Sequence, residues 1–454
     1  MAKANDLTNG KVSSLILRFY FPMLLTNMLQ QMYNIADTAI VGKGLGNNAL
    51  AAVGNMSSLT FLIFGFSMGL TNGFSVIVAQ NFGAKDHKKL RRAVASSVML
   101  CFIIAAVLTA VSIAFLRPVL GLLRTDSAIM HDGLVYGYFI FGGLIATISY
   151  NLCSCILRAL GDSKTPFVAI IISTIVNICL DTFCIFVLKT GVEGAAVATI
   201  ISQIVSAFIC FRRIRKIDVL NITKEDFRGN GKLYAELFGN GLPMALMNSI
   251  TAVGCMVIQY FVNGLGVAYT TAYSACSKFI NLFMQPSCTA GFAMSAFTSQ
   301  NYGAGKFSRI REGLYVCLAI SMISYVILGS VMVFFPGYLA GVMVNGSEII
   351  KIAKSYLPIC GIFLFAVDLL FVFRNGCQGF AKPLVPMISG IVEMALRIGI
   401  IALFINITGF RATAYAEVSA WIGALLLNMA SFEHTLNKNL RTTVIHHRKL
   451  RTAA

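Results

Sequence analysis

Five acidic side chains lie inside long apolar stretches of this chain, where a carboxyl group can bind a proton or a cation. Of the 18 acids in the sequence, these are Asp37, Asp181, Asp368, Glu393 and Glu417. A charged side chain at the centre of a membrane costs about 3 kcal/mol on insertion scales, so an acid kept there is a candidate for function. Asp37 illustrates the pattern, because it interrupts an otherwise uncharged run from residue 19 to residue 41 that contains the segment YNIADTAIVG.

Asp37 and Asp181 are predicted to lie at a similar depth, together with two neutral polar residues. Asp37 precedes the turn at Gly44 by seven residues and Asp181 precedes Lys189 by eight, which is roughly 10–12 Å along a helix. Asn177 lies one helical turn before Asp181 on the same face, and Thr199 lies eight residues into the following stretch. Two carboxylates, an amide oxygen and a hydroxyl form a shell that suits a hard cation such as Na⁺.

A pair of acids in one apolar pocket has a chemical consequence. Both cannot ionise cheaply, so the pocket either keeps a proton or holds a cation between the carboxylates. Binding of H⁺ or Na⁺ neutralises the pocket, and its release restores an anionic site that can hold another ligand. The structural alternative is that these side chains hydrogen-bond helix backbones or neighbours and only fix the packing.

A polar stripe runs along the first apolar stretch. Gln30, Asn34 and Asp37 are spaced i, i+4, i+7 and share one helix face. Such a face on a membrane helix is expected to look into the protein. We interpret these residues as lining an internal cavity where a ligand binds, with simple interhelical hydrogen bonding as the alternative.

The second half of the chain carries a different charged set. Glu393 and Arg397 are spaced i, i+4 in the favourable order, which predicts a structural ion pair, with a gating or second ion-coupling role as the alternative. Asp368 and Glu417 are the other acids in apolar stretches of this half, and an ion-coupling role stays open for both.

The elements that hold these residues are predicted to be membrane-spanning helices. The chain has 454 residues, of which 57% are hydrophobic and 12% charged, and about 20 apolar residues cross a bilayer as a helix. Twelve such stretches are present, at roughly 14–42, 53–80, 93–116, 133–157, 167–188, 191–211, 237–262, 269–299, 313–336, 352–373, 384–406 and 410–433. The composition therefore predicts an all-α polytopic protein of the cell membrane, surrounded by the lipid bilayer.

The net charge of +18 is distributed unevenly along the chain. With a cytoplasmic N-terminus, 26 of the 36 basic residues fall in the tails and the even-to-odd loops, Arg374 among them, and 7 fall on the opposite side. This imbalance follows the positive-inside rule and predicts that both termini are cytoplasmic. The sequence has no basic stretch interleaved with aromatic residues on a soluble module, so we exclude nucleic acid as a partner.

The cysteines and histidines do not suggest catalysis. The 12 cysteines lie almost entirely within the apolar stretches, without CxxC or Cys/His metal-ligand spacing, and the 5 histidines lie in loops or tails. We therefore expect no enzyme activity and no tightly bound cofactor.

The sequence is duplicated at an offset of about 220 residues. The segment SVIVAQNFGAKDHKKLRRAV at 75–94 returns as SAFTSQNYGAGKFSRIREGL at 295–314. Because each copy has six helices, the copies share one membrane orientation and are predicted to form two pseudo-symmetric bundles with a cleft between them. The predicted lobes are residues 1–211 and 237–433, with a cytoplasmic loop at 212–236 between them and a basic tail at 434–454.

The duplication also shows that the acids were not kept in both copies. In the repeat register Asp37 corresponds to Ile258, and Asp181 corresponds to Ile401. Asn177 corresponds to Arg397. The two lobes are therefore expected to differ in function.

Several motifs of this chain resemble those of the multidrug and toxic compound extrusion (MATE) family, and its DinF-like branch in particular. They are an early FP…YNIADTAIVGKGLG, QNFGAKD after the second helix and LRALGDSKTP before the fifth. The resemblance implies ion coupling in the N-terminal lobe through a helix 1 aspartate, a helix 5 Asn-xxx-Asp pair and a helix 6 hydroxyl. The matching positions are Asp37, Asn177, Asp181 and Thr199, which would also be the Na⁺ ligands if the coupling ion is sodium.

The resemblance further implies an antiporter that works by alternating access. Inward movement of Na⁺ or H⁺ would drive export of organic cations or amphiphilic toxic compounds, with Gln30, Asn34 and Asp37 as substrate-binding residues, and we expect a monomer. The first alternative is a flippase for lipid-linked saccharides from the same superfamily, which would favour a more cationic cavity than Lys278 and Arg397 provide. A polytopic membrane transferase is a weaker alternative, because the sequence has no membrane-surface His/Asp cluster.

Overall fold

The computed structural model describes residues 5–122, 125–228, 230–344 and 346–452, with the backbone alone at some positions in these ranges. The helices of the first half are α1 Val12–Leu45, α2 Asn47–Gly83, α3 His87–Leu122, α4 Ser127–Gly142, α5 Leu144–Ala159, α6 Lys164–Thr182 and α7 Val192–Ile214. Those of the second half are α8 Gly231–Gly264, α9 Val267–Phe283, α10 Gln285–Gly303, α11 Phe307–Phe334, α12 Pro336–Met343, α13 Ser347–Ile362, α14 Leu364–Gly379, α15 Leu384–Thr408 and α16 Arg411–Thr452. A π-helical turn, Phe183–Val187, follows α6, and two short 3₁₀ turns, Asp218–Leu220 and Lys224–Phe227, lie between α7 and α8.

The predicted membrane-spanning stretches are helical in the structure. Within the described residues, eight helices are long and apolar enough to cross a membrane, and two bent pairs, α4 with α5 and α13 with α14, bring the number to ten. The other two predicted spans, 269–299 and 410–433, fold as α9 with α10 and as the first part of α16. The chain is thus the all-α polytopic protein that its composition predicts.

The helices are grouped in two compact units. The first unit contains Phe21–Ala245 and the start of the chain up to Asp6, and the second contains Leu7–Tyr20 and the chain from Leu246 onward. In the first unit α2 packs against α3, α4 and α5, while α7 packs against α5 and α6. In the second unit α10 packs against α11 and α14, and α16 packs against α14 and α15. The boundaries differ from the predicted lobes, because residues 7–20 pack in the second unit and α8 up to Ala245 packs in the first.

The helix breaks repeat at the offset found in the sequence. α4 and α5 meet at Gly143 with a bend of 46°, and α13 and α14 meet at Phe363 with a bend of 48°. α6 begins at Lys164 and α15 begins at Leu384. Gly143 is needed at the first bend, because a Cβ atom there would lie 2.5 Å from Ile200 on α7.

Two predicted boundaries are corrected by the structure. α14 continues to Gly379, six residues past the predicted stretch, so Arg374 is a buried helical residue and not part of a cytoplasmic loop. The side chains of Arg374, Asn375 and Gln378 are buried in this last part of α14, which packs against α10 and α16. The predicted tail at 434–454 continues α16 as a helix to Thr452.

Candidate functional site

The site in the first unit is built on α6. Asn177 and Asp181 are one turn apart on the buried face of this helix, and both are fully inaccessible to solvent. The π-helical turn begins two residues after Asp181, at Phe183. Such turns interrupt the regular backbone ladder and are frequent at functional sites.

Asp37 of α1 faces Asp181 of α6. The two carboxyl groups interact directly, although 144 residues separate them in the chain. One oxygen of Asp37 and both oxygens of Asp181 are buried and receive no hydrogen bond from a described donor. Asn177 approaches Asp181, but neither its amide oxygen nor its amide nitrogen completes a hydrogen bond of good geometry.

Two tyrosines complete the surroundings of the acid pair. The hydroxyl group of Tyr33, one turn before Asp37 on α1, donates to Thr199 Oγ1 at 3.5 Å. Tyr33 also lies within electrostatic range of both acids, and so does Tyr136 of α4. Thr199 therefore belongs to the same cluster and is joined to it through Tyr33.

This arrangement is suited to binding a small positive species. A buried carboxylate oxygen without a donor loses the hydrogen bonds that water would give it, which costs about 1–3 kcal/mol or more. A shared proton or a cation between Asp37 and Asp181 removes that penalty and the repulsion between like charges. No group of three or more His, Cys, Asp or Glu side chains arranged for a metal ion occurs in the described chain. A cation here would instead be bound by two carboxylates with an amide oxygen.

Gln30 and Asn34 do not join the acid cluster through any described hydrogen bond, and both side chains are exposed. Gln30 lines a separate cavity of about 60 Å³ in the first unit, with Asn27 and Arg158 among its other walls. That volume holds about two water molecules at ~30 Å³ each. The stripe predicted on α1 thus reaches two places, the small polar cavity at Gln30 and the acid pair at Asp37.

The second unit contains a four-residue charge network at the predicted Glu393–Arg397 pair. Arg397 approaches Glu393 at 3.7 Å and donates from Nη2 to Glu417 Oε2 at 2.9 Å. Arg374 of α14 forms an ion pair with the other oxygen of Glu393. All four side chains are at least 90% buried, and the network joins α14, α15 and α16 with two positive and two negative charges.

Asp368 stands apart from this network. It is fully buried on α14, and neither of its carboxyl oxygens has a hydrogen-bond partner of good geometry among the described residues. Its neighbours are the hydroxyl group of Ser287 on α10 and, at longer range, Tyr20. Of the four candidates in the second half, Asp368 alone has an environment like that of the acids in the first unit.

Sequence reasoning missed several members of these clusters. Tyr33 precedes Asp37 by one helical turn, and that spacing could have marked it. Arg374 was assigned to a loop because the apolar stretch ends beside it. Nothing in the linear sequence pairs it with Glu393, and only the packing of α14 on α15 does so.

Known proteins share both the fold and the internal duplication of this chain. The MatE family profile matches the chain twice, at residues 22–183 and 243–403, an offset of about 220 residues. The probable multidrug resistance protein YpnP of Bacillus subtilis is 28% identical over 93% of this chain and 92% of its own length. The probable multidrug resistance protein YoeA of the same organism is 28% identical over 75% of each chain.

A solved structure has the same fold over nearly its whole length. The crystal structure of MATE in the bent conformation superposes with a TM-score of 0.90 at 21% sequence identity, covering 96% of this chain and 98% of its own. The two family matches together span more than half of the residues here. The chain therefore belongs to the MatE family, the multidrug and toxic compound extrusion family that its motifs resemble.

Proposed function

We propose that this protein is a secondary active exporter of organic cations or related amphiphilic toxic compounds, driven by inward Na⁺ or H⁺ across the cell membrane. Asp37 and Asp181 bind the coupling ion, and Asn177 and Thr199 complete its surroundings. The protein works as a monomer in the bilayer with both termini in the cytoplasm. Membership in the MatE family and the names of its relatives support the transport class.

The observation that carries the coupling role is the unpartnered acid pair. Asp37 and Asp181 interact with each other, and one oxygen of Asp37 and both oxygens of Asp181 lack a donor among the described side chains. Binding the ion stabilises this pocket, so its release into the cytoplasm regenerates an anionic site with affinity for a cationic compound. Competition for one pocket then links ion entry to drug release.

The polar stripe gives the substrate a second set of contacts. Gln30 and Asn34 are exposed on the helix that carries Asp37, so a bound compound can reach amide groups and the carboxyl group along one face of α1. We propose these three as substrate-binding residues.

The test is efflux of a cationic dye from proteoliposomes under separately imposed Na⁺ and pH gradients. Asp37→Asn keeps the size of the side chain and removes its charge, so we expect coupled efflux to fall more than about tenfold while the protein remains folded. Asp218→Asn, at an exposed acid in a short turn, is the matched control and should transport normally. Coupled efflux by Asp37→Asn at the wild-type rate would reject the assigned role, and the wild-type response to each gradient identifies the ion.

The charge network of the second unit bears on the flippase alternative. A lipid-linked pyrophosphate needs positive charges that are free to meet it. Arg374 and Arg397 are buried and already paired with Glu393 and Glu417, so the network does not favour that alternative.

A further inference from the structure

The chain segment before α1 is held against the turn between α10 and α11 in the second unit. The backbone N–H of Leu7 donates to Gln300 Oε1 at 2.9 Å. Lys306 Nζ donates to the carbonyl oxygen of Thr8 and to Asn9 Oδ1, both at 2.8 Å. Gln300 and Lys306 thus hold residues 7–10, which form a turn and a bend, through neutral acceptors.

Two positive charges in this contact have no acidic partner among the residues that the structure describes. Arg309 donates to the carbonyl oxygen of Gly10 at 2.9 Å, to that of Leu7 at 3.4 Å and to Asn301 Oδ1 at 3.2 Å. None of the ion pairs in the described part of the chain includes Lys306 or Arg309. Carbonyl and amide oxygens satisfy the N–H donors but leave both formal charges uncompensated.

These residues line an open cavity of about 550 Å³. Lys306, Ser308 and Arg309 form one wall, Asn9 and the neighbouring backbone form another, and Leu440 of α16 adds an apolar side chain. The described lining contains two cations and no acid. A cavity of this size and charge is suited to an anionic group of several atoms.

The position of the cavity indicates which anion is available. Helices α1 and α11 are both candidate membrane spans, and they begin at Val12 and Phe307. The cavity is therefore next to the starts of two spans in the same unit, at the level where lipid headgroups meet water. It also lies on the side where the sequence concentrates its basic residues. Basic pockets at this level of a membrane protein attract the phosphate groups of anionic lipids.

The other copy of the repeat shows that the motif does not require this charge. In the same register, Asp86 stands at the position of Lys306, and Lys89 stands at the position of Arg309. Asp86 and Lys89 form an ion pair at 3.9 Å, and Asp86 also accepts a hydrogen bond from the backbone of Lys89. At these two positions the first unit thus holds an ion pair, while the second unit holds two cations that have no acid partner among the described residues.

We propose that the cavity at Lys306, Ser308 and Arg309 binds the headgroup phosphate of an anionic phospholipid, such as phosphatidylglycerol. The two cations attract the phosphodiester, the Ser308 hydroxyl donates to it, and Leu440 contacts the glycerol and acyl part. Bound lipid holds the cavity walls together, so it stabilises the segment at 7–10 against the turn between α10 and α11. This binding does not depend on transport.

The test compares lipids on the purified full-length protein. Thermal unfolding in mixed micelles with phosphatidylglycerol, with phosphatidylcholine or with inorganic phosphate alone measures stabilisation, and native mass spectrometry of the same samples counts retained lipids. We expect phosphatidylglycerol to stabilise the wild type and to be retained in preference to phosphatidylcholine. Equal effects of the two lipids would overturn the proposal, and stabilisation by inorganic phosphate alone would assign the site to a soluble anion instead.

Two substitutions separate the lipid site from folding. Lys306→Gln removes a charge but also loosens the contact with Thr8. Ser308→Asp is therefore the sharper variant, because Ser308 is exposed. Its replacement adds a negative charge but keeps the hydrogen bonds from Lys306 and Arg309 to residues 7–10. We expect Ser308→Asp to bind phosphatidylglycerol roughly fivefold more weakly. Asn221→Asp, an exposed change of equal charge in the first unit, should bind like the wild type, and an unchanged lipid preference in Ser308→Asp would contradict the assignment.

Discussion

The two halves of the chain share their helix breaks but place different chemistry on them. In the first unit, Asp37 and Asp181 face each other, and the described residues give no donor to three of their oxygens. Their counterparts in the second half, Ile258 and Ile401, are both fully buried apolar residues. The same backbone positions therefore hold an acid pair in one copy and ordinary hydrophobic packing in the other.

The second half has its own buried charges, and four of them, unlike Asp368, neutralise one another in a network. Arg397 stands where the first half has Asn177, and it is paired with Glu393 and Glu417. A buried charge that loses its partner is strongly unfavourable, whereas a complete pair is tolerated. The first unit thus holds an acid pair without a donor among the described residues, while the second unit holds a network of paired charges.

The largest expected effect comes from replacing the two acids of the first unit by isoleucine, the residue at the corresponding positions of the second half. The double substitution Asp37→Ile and Asp181→Ile should reduce ion-coupled dye efflux to the background of empty liposomes, because the proposed ion site of the first unit loses both of its carboxyl groups. We expect the protein to remain folded, since removing unpartnered buried polar groups is close to neutral or stabilising. Efflux assays with thermal unfolding of the same samples test this prediction. Coupled transport by the double variant would show that the acid pair of the first unit is not needed to bind the ion.

Breaking the network of the second unit should instead reduce stability. Glu417→Gln leaves the buried Arg397 without one of its charged partners, so we expect a loss of about 3–5 kcal/mol. Glu433→Gln is the matched control, because Glu433 pairs with Arg311 at a site about 35–40% exposed, where an ion pair contributes about 1 kcal/mol or less. Thermal unfolding in detergent measures both. Similar losses of stability in the two variants would show that the buried network stabilises the second unit no more than an exposed ion pair does.

The bends of the two halves can be compared through their central residues. Gly143→Val should destabilise the protein by about 1–3 kcal/mol, because the new side chain overlaps Ile200. Gly142→Val is the control, since a Cβ atom at Gly142 meets nothing within 4 Å. The second bend accepts Phe363 at the equivalent position. If both valine variants unfold alike, close packing on α7 is not the reason for Gly143.

The smallest expected effect concerns the segment that precedes α8, the first helix of the second half. Asp226, in the segment before α8, approaches Arg91 at 3.5 Å and receives hydrogen bonds from the backbone and hydroxyl group of Thr223. Burial opposes its ionisation, but these hydrogen bonds and the nearby arginine hold the pKa of the Asp226 carboxyl below its ordinary value. Asp226→Ala should therefore cost about 1 kcal/mol at neutral pH.

The sign of the pH dependence follows from the lowered pKa of Asp226. Its stabilisation is present above the ordinary aspartate pKa and is lost as the pH falls through the lower value of the folded state. Hydrogen exchange of residues 218–228 should thus differ between the variant and the wild type at neutral pH and converge in acid. Asp218→Ala, at an exposed acid nearby, should leave this exchange unchanged at both pH values.

Much of the fold could be predicted because helices in a membrane are specified locally. The apolar stretches have the length of a bilayer, and the 220-residue repeat anticipates the paired bends at Gly143 and Phe363. Helix ends were harder to predict. α14 continues past its apolar stretch through Arg374 because neighbouring helices cover the polar side chains. Those helices are distant in the sequence, so the residues around Arg374 do not reveal them.

The sequence by itself determined which acids are placed among apolar residues and that only the first copy of the repeat carries the pair at Asp37 and Asp181. The tertiary structure decided their partners. Asp181 meets Asp37 and has no donor in the described part of the chain, whereas Glu417 meets Arg397, 20 residues earlier, and is neutralised. The physical reason is that burial depends on local composition, but compensation of a buried charge depends on which helix packs beside it.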